Sequence, residues 1–154
     1  MENTAEEPTE ILREFVSFRV ADQDYCIDIM AVREIRGWAP ATVLPHAPDY
    51  LLGVINLRGS VVPIIHLAVR LGLPTRPLGA RQVFIITATE NQTVGILVDS
   101  VSDILSIPKA RIQAAPSLSS DTARPFVQSL IADENRMLRL LNLTAVLTAT
   151  TGDG

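Results

Sequence analysis

The chain has 154 residues with 13 Lys+Arg against 17 Asp+Glu, a formal charge of −4, and about 150 residues is the usual size of one domain or two very small ones. A pI of about 5.1 lies far from the pI above about 9 of a typical nucleic-acid-binding domain, which makes phosphate backbones poor candidate partners. Apolar residues reach 47% and the mean hydropathy is +0.27, yet charges, Pro or Gly interrupt every apolar run before the ~18 residues of a membrane span, so the hydrophobicity must go into cores or interfaces.

Met1 to Glu10 is acidic and polar, with no signal-peptide or transit-peptide pattern, and residues 1–12 read as a flexible tail. Apolar alternation at Val16, Phe18 and Val20 resumes at Tyr25, Ile27 and Ile29 after the turn-rich Ala21-Asp22-Gln23-Asp24, which predicts a β-hairpin. A short strand follows from Val32. A helical turn is expected after Ala47-Pro48. Gly53 to Leu57 and Ser60 to Ile65 flank Arg58-Gly59, a second hairpin with a tight turn. Pro63 cannot donate to a ladder, so it belongs at an edge or a bulge. A short helix is expected at Leu67 to Leu71, then a third hairpin from Phe84-Ile85-Ile86 and Val94 to Val98 around Thr89 to Gln92. Lys109 to Thr122, rich in Ser, Ala and Pro, reads as a linker; Met137 to Leu143 is a further strand and Thr144 to Thr148 a last helical turn.

Comparing the chain with itself exposes a repeat. An offset of 69 places Tyr25, Ile27, Ile29, Val32, Glu34 and Ile35 on Val94, Ile96, Val98, Val101, Asp103 and Ile104. An offset of 76 places Val54, Ile55, Val61, Val62, Ile64, Ile65 and Leu67 on Leu130, Ile131, Met137, Leu138, Leu140, Leu141 and Leu143, with Arg58-Gly59 on Glu134-Asn135. The half-repeats span about 15–73 and 82–147, each with about five strands, which suits a small β-barrel that closes its edges.

Catalytic chemistry finds no foothold. Ser60 follows Gly59 but lacks the G-x-S-x-G frame, and no phosphate-binding loop is present. Cys26, the single cysteine, alternates with core positions and reads as an inert thiol; one cysteine allows no internal disulfide, and a reducing cytoplasm is its natural setting. His46 and His66 have no partners that make a metal site or a general base, so neither metal nor cofactor is expected. What remains is interaction chemistry. Val32-Arg33-Glu34-Ile35-Arg36-Gly37-Trp38 mixes charges with one large aromatic; solvated ion pairs explain the charges, and Trp38 suits either a core or a binding rim. The competing class, a small-barrel nucleic-acid binder, wants basic stripes with exposed aromatics, and the negative charge disfavours it.

Gly53-Val54-Ile55-Asn56-Leu57-Arg58-Gly59-Ser60-Val61-Val62-Pro63-Ile64-Ile65 resembles a signature hairpin of the CheW family of bacterial chemotaxis coupling proteins, and Val32 to Gly37 and Val94 to Val101 resemble two more of its stretches. The resemblance runs from about Phe15 to Leu147 and implies a CheW-like domain over 13–150, with 151–154 as a C-terminal tail. It is similar to the free-standing member rather than to the related domain inside the kinase CheA or the fusion CheV. The resemblance implies an all-β fold of two packed SH3-like five-stranded barrels with short helical turns, and a non-enzymatic, cytoplasmic adaptor recruited to membrane-associated arrays. Its partners would be the cytoplasmic hairpin tip of a chemoreceptor and the CheW-like domain of the histidine kinase CheA, with no nucleic acid and no direct membrane insertion. An apolar trench taking one receptor helix would comprise Val32, Gly53, Val61, Val83 and Gly95, the two glycines letting a helix backbone approach. Glu34 and Arg58 match a family pair associated with receptor coupling and are expected to bridge each other. The kinase contact would be a separate apolar patch. At 66 the family usually has Asp, a better helix cap than His, and at 129 it usually has Gly, where Ser129 would narrow a groove.

Overall fold

Strand-forming alternation and turn residues decide the local structure of residues 11–114 and 126–148, which are the residues described in this computed structural model. The first hairpin joins β1 (Leu12–Val20) to β2 (Gln23–Asp28). Ala21 and Asp22 take φ of 51° and 65°, the left-handed pair of a two-residue turn whose twist matches its strands. The second joins β4 (Leu51–Leu57) to β5 (Ser60–His66) through Arg58 and Gly59 at φ 52° and 88°. Asn56 Oδ1 accepts from the Gly59 N–H at 2.8 Å and secures that turn. Between them lies β3 (Val32–Gly37); after them come α1 (Leu67–Leu71), β6 (Val83–Ala88) and β7 (Thr93–Val98). The chain then forms β8 (Ser100–Pro108), β9 (Ile112–Ala114), β10 (Val127–Asp133), β11 (Arg136–Leu141) and α2 (Leu143–Thr148).

Several local expectations shift. Ile29 leaves the strand for a 3-10 turn over Ile29–Ala31, because Asp28 Oδ1 caps it by accepting from the Met30 N–H at 2.9 Å. Ala47-Pro48 leads into a hydrogen-bonded turn, Leu51 N to Pro48 O at 3.0 Å, and not into a helix. Leu12, assigned to the tail, already pairs in β1. The start of the expected linker is structured, with a 3-10 turn at Lys109–Arg111 followed by β9; residues 115–122 of that linker, 1–10 of the tail and 151–154 lie outside the described residues. Pro63 sits where β5 is paired on one side only, since its parallel ladder with β7 begins at Ile64.

The fold is all-β in two sheets, of order β8-β1-β2-β11-β10-β9 and β3-β6-β7-β5-β4. β9 makes the first sheet six-stranded where five were expected. Each sheet draws from both half-repeats: the first hairpin of one half completes the sheet of the other. The two offsets survive in the pairing itself. β3 pairs β6 with Val32↔Thr87 and Ile35↔Ile85, and β8 pairs β1 with Val101↔Phe18 and Ile104↔Val16. β4 pairs β5 with a bulge between Leu51 and Gly53, and β10 pairs β11 with a bulge between Val127 and Ser129.

This interleaving explains the apolar surplus. Alternate residues of the same strands feed different cores. Tyr25, Ile27, Ile65, Ile85, Ile96, Leu71 and Val146 build a central core between the sheets. Phe15, Cys26, Ile131 and Leu138 fill the six-stranded sheet's own core, and Leu57, Ile64, Phe84, Ile86 and Leu97 that of the five-stranded sheet. Strands buried on both faces read as near-continuous apolar runs. Arg70 then ties α1 to α2: its guanidinium lies 4.4 Å from the Tyr50 ring and 4.6 Å from the Phe126 ring, and donates to the carbonyls of Val146 and Ala145 at 3.1 and 3.2 Å.

Candidate functional site

β3 is the least buried of the strands in the five-stranded sheet, with Val32 and Glu34 its only half-buried members. Its register against β6 shifts between Val32 and Glu34, an irregularity of the kind that re-aims a side chain. Glu34 thereby faces the β4–β5 turn, whose left-handed backbone projects Arg58 towards it. Arg58 Nη2 donates to Glu34 Oε1 at 2.8 Å and Arg36 Nη1 to Oε2 at 2.9 Å, so both carboxylate oxygens are engaged. The hydrogen bond from Arg58, followed by that from Arg36, holds the Glu34 carboxyl below its ordinary pKa, and Glu34 raises that of Arg58. The expected bridge is present.

An open cleft of about 620 Å³ surrounds the pair, with Arg33, Leu57, Val61 and Pro63 on its walls and Gln92 and Thr93 at the β7 end of the β6–β7 hairpin on its far side. Val61 is 73% exposed and so offers the cleft an apolar surface that is not used by the core. Of the residues assigned to the trench and its flank, the structure brings Glu34, Arg58 and Val61 together. Val32 and Val83 lie at opposite ends of the β3–β6 ladder, half-buried against the central core.

The two glycines require correction. A Cβ on Gly53, at φ 153°, would run into the backbone carbonyl of Thr42, which is paired with Val54 across β4. A Cβ on Gly95 would stand 2.5 Å from Ile64 Cδ1 and 3.1 Å from Ile86 Cδ1, inside the five-stranded sheet's core. Both glycines are buried and make room for the chain's own atoms, not for a visiting helix. Arg33, Gln92 and Thr93 join the cleft without having been expected there; the only sign of them in the sequence is the density of bases around Glu34, at Arg33 and Arg36.

The remaining candidates settle as structure. Cys26 is buried, and burial pushes its thiol up to about 12, which leaves no thiolate to react. Trp38 packs half-buried against the five-stranded sheet's core, its indole N–H buried without a partner among the described residues. His66 precedes α1 with no side-chain cap bond, and burial pulls its pKa down. A second cavity, of about 460 Å³, is lined by Arg19, Arg76, Arg81 and Asp99; Arg19 pairs with Asp24 at 3.0 Å and Arg76 with Asp22 at 2.7 Å. A third cleft, of about 330 Å³, lies between β8 and the β10–β11 turn, where the Asp103 carboxylate accepts from Ser17 Oγ and, at 3.4 Å, from Arg136 Nη2. Among the described residues, no helix is long and apolar enough to cross a membrane.

Residues 14–151 match the family model described as CheW-like domain. The chain is 50% identical over 138 residues to a probable chemotaxis protein CheW of Rhizobium etli, covering 90% of this chain and 89% of that one. It is 49% identical over 146 residues to chemotaxis protein CheW of Rhizobium meliloti, covering 95% and 94%. The crystal structure of the scaffolding protein TtCheW from Thermoanaerobacter tengcongensis superposes with a TM-score of 0.85 at 26% identity, covering 94% of this chain and 98% of that one.

Proposed function

The chain belongs to the CheW-like family, non-catalytic scaffolds of chemotaxis signalling, and on that premise we propose that it couples the cytoplasmic hairpin tip of a chemoreceptor to the histidine kinase CheA, at arrays beneath the membrane. The observation that carries this reading is the Glu34–Arg58 ion pair set beside exposed Val61 at the β4–β5 hairpin. An ion pair this open contributes little to folding, and a large apolar residue beside it adds nothing to a core. Both are accounted for if a partner segment covers them. The receptor contact is accordingly the open cleft at Glu34, Arg58 and Val61, and the kinase contact is a separate surface.

A pull-down of a receptor cytoplasmic fragment and of CheA by the full chain tests the coupling; capture of both is expected, and failure with both sinks it. Within the cleft, Glu34→Arg and Arg58→Glu should each weaken receptor binding, and the double exchange should recover it. Failure of that recovery, with all variants folded, removes the ion pair from the contact.

A further inference from the structure

We propose that this cleft selects a partner segment presenting a carboxylate next to an aliphatic side chain, with Arg33 as the cation that receives the carboxylate; the proposal rests on the reading of the cleft as the receptor contact. Two guanidiniums, of Arg36 and Arg58, hold the carboxylate of Glu34, and a third base, Arg33, lines the same cleft. Each oxygen of that carboxylate already accepts from a guanidinium, of Arg58 or of Arg36, and Arg33 makes no ion pair with it. Arg33 is exposed and has no ion-pair partner among the described residues, and the Arg58 side chain remains 69% exposed even while paired. Three bases against one acid leave this face with a net positive charge, and Arg33 is its unpaired cation. Beside them stand the apolar walls of Leu57, Val61 and Pro63.

A helix that places an acidic residue and an aliphatic one three or four positions apart presents both on one face, at the spacing such a wall and base require. A basic or purely apolar segment would leave Arg33 covered and unpaired, which is the costly arrangement. The cleft in the matching place on the other sheet repels the same partner, since Asp103, Asp133 and Glu134 outnumber Arg136 there. Charge thus gives the molecule one face for an acidic segment rather than two.

The test is titration of the full chain with a soluble chemoreceptor cytoplasmic fragment in 50 mM and 500 mM NaCl, using wild type, Arg33→Ala and Arg33→Glu. Wild type should bind more weakly at high salt, and Arg33→Glu should lose roughly tenfold in affinity at low salt, a gap that closes as salt rises. Arg33→Ala should fall between them. Circular dichroism checks that the exposed substitutions leave the fold intact. Binding that ignores both salt and Arg33→Glu overturns this proposal alone. Absence of binding by the wild-type chain overturns the receptor reading, and this proposal with it.

Discussion

The cleft at Arg58 and the cleft at Arg136 occupy the same place in the two sheets and carry opposite charge. In each, an acid on the outer strand meets a base at a hairpin turn: Glu34 with Arg58 at 2.8 Å, Asp103 with Arg136 at 3.4 Å. The turns begin alike, with φ of 52° at Arg58 and 54° at Glu134, and part at the next residue, where Gly59 has φ 88° and Asn135 lies outside the positive range. Yet the first gathers three bases, Arg33, Arg36 and Arg58, with one acid, and the second three acids with one base. The backbone was free to repeat because it serves packing; the surface was free to diverge because exposed charges cost the fold little. Where the two sheets differ internally, each difference has a physical partner in the surrounding chain, and exchanging residues between equivalent places separates what packing demands from what a partner demands.

The largest effect is expected at the paired bulges. Gly53 and Ser129 are equivalent, but only Gly53 has φ in the positive range and the Thr42 carbonyl against it. Gly53→Ser should cost about 3 kcal/mol or more, from strain plus overpacking. The reverse exchange, Ser129→Gly, should cost only about 0.5–1 kcal/mol. Urea unfolding of the two variants measures the asymmetry, and equal costs would show that the bulges are not packed differently.

Next comes the parallel ladder that joins the halves. Ile64 pairs with Gly95 in one sheet as Leu140 pairs with Cys26 in the other. Gly95→Cys would put a side chain 2.5 Å from Ile64 Cδ1, at a cost of about 2 kcal/mol. Ile64→Val removes that atom, so the double variant should be less destabilised than the sum of the singles. Strict additivity in a double-mutant cycle would show that Ile64 is not what keeps position 95 small.

The hairpins were legible because Val16-Phe18-Val20 and its like alternate cleanly, and because Arg58-Gly59 and Ala21-Asp22 mark where the chain must turn. The repeat was legible for the same reason. What pattern did not reveal is which copy pairs with which: Val32 has the same alternation whether its neighbour is in its own half or is Thr87 of the other. β9 was hidden because three residues, Ile-Gln-Ala, are too short to show a period. Gly53 and Gly95 announced that something approaches closely, but a glycine cannot tell whether the visitor is a partner's helix or the chain's own Thr42 and Ile64. The Glu34–Arg58 bridge was legible from opposite charges in two recognisable stretches; Arg33 was not, since a single exposed base has no meaning until the cleft around it is seen.

A smaller effect separates the two helix starts. Asn142 Oδ1 caps α2 by accepting from the Ala145 N–H at 3.2 Å, whereas its equivalent His66 makes no such bond and keeps Nδ1 buried without a partner among the described residues. His66→Asn should therefore add about 1 kcal/mol. It should also change the pH response. Burial lowers the His66 pKa in the fold, partly offset by the charge of Asp99, so the unfolded chain binds the proton first. Stability should accordingly fall as pH drops from about 7 through the ordinary histidine value and on to the depressed one. Thermal melts at pH 7.5 and 5.5 should show that loss in wild type and a smaller one in His66→Asn; identical slopes would place the titration elsewhere.

The smallest effect on the fold, and the most direct probe of the two clefts, is removal of each base. The Arg58 side chain stands mostly in solvent, so Arg58→Ala should leave the melting temperature where it is while weakening receptor binding. Because the Glu34 carboxyl is held below its ordinary range, the pair stays charged as pH falls from 8 to 5 and loosens only at more acid values, so the binding contributed by this cleft should be flat across that interval. Arg136 is half-buried and serves both Asp103 and Asp133. Arg136→Ala should therefore lower the melting temperature and spare receptor binding. If instead Arg136→Ala abolishes binding in a well-folded chain, or Arg58→Ala unfolds it, the assignment of one cleft to a partner and the other to the fold is reversed.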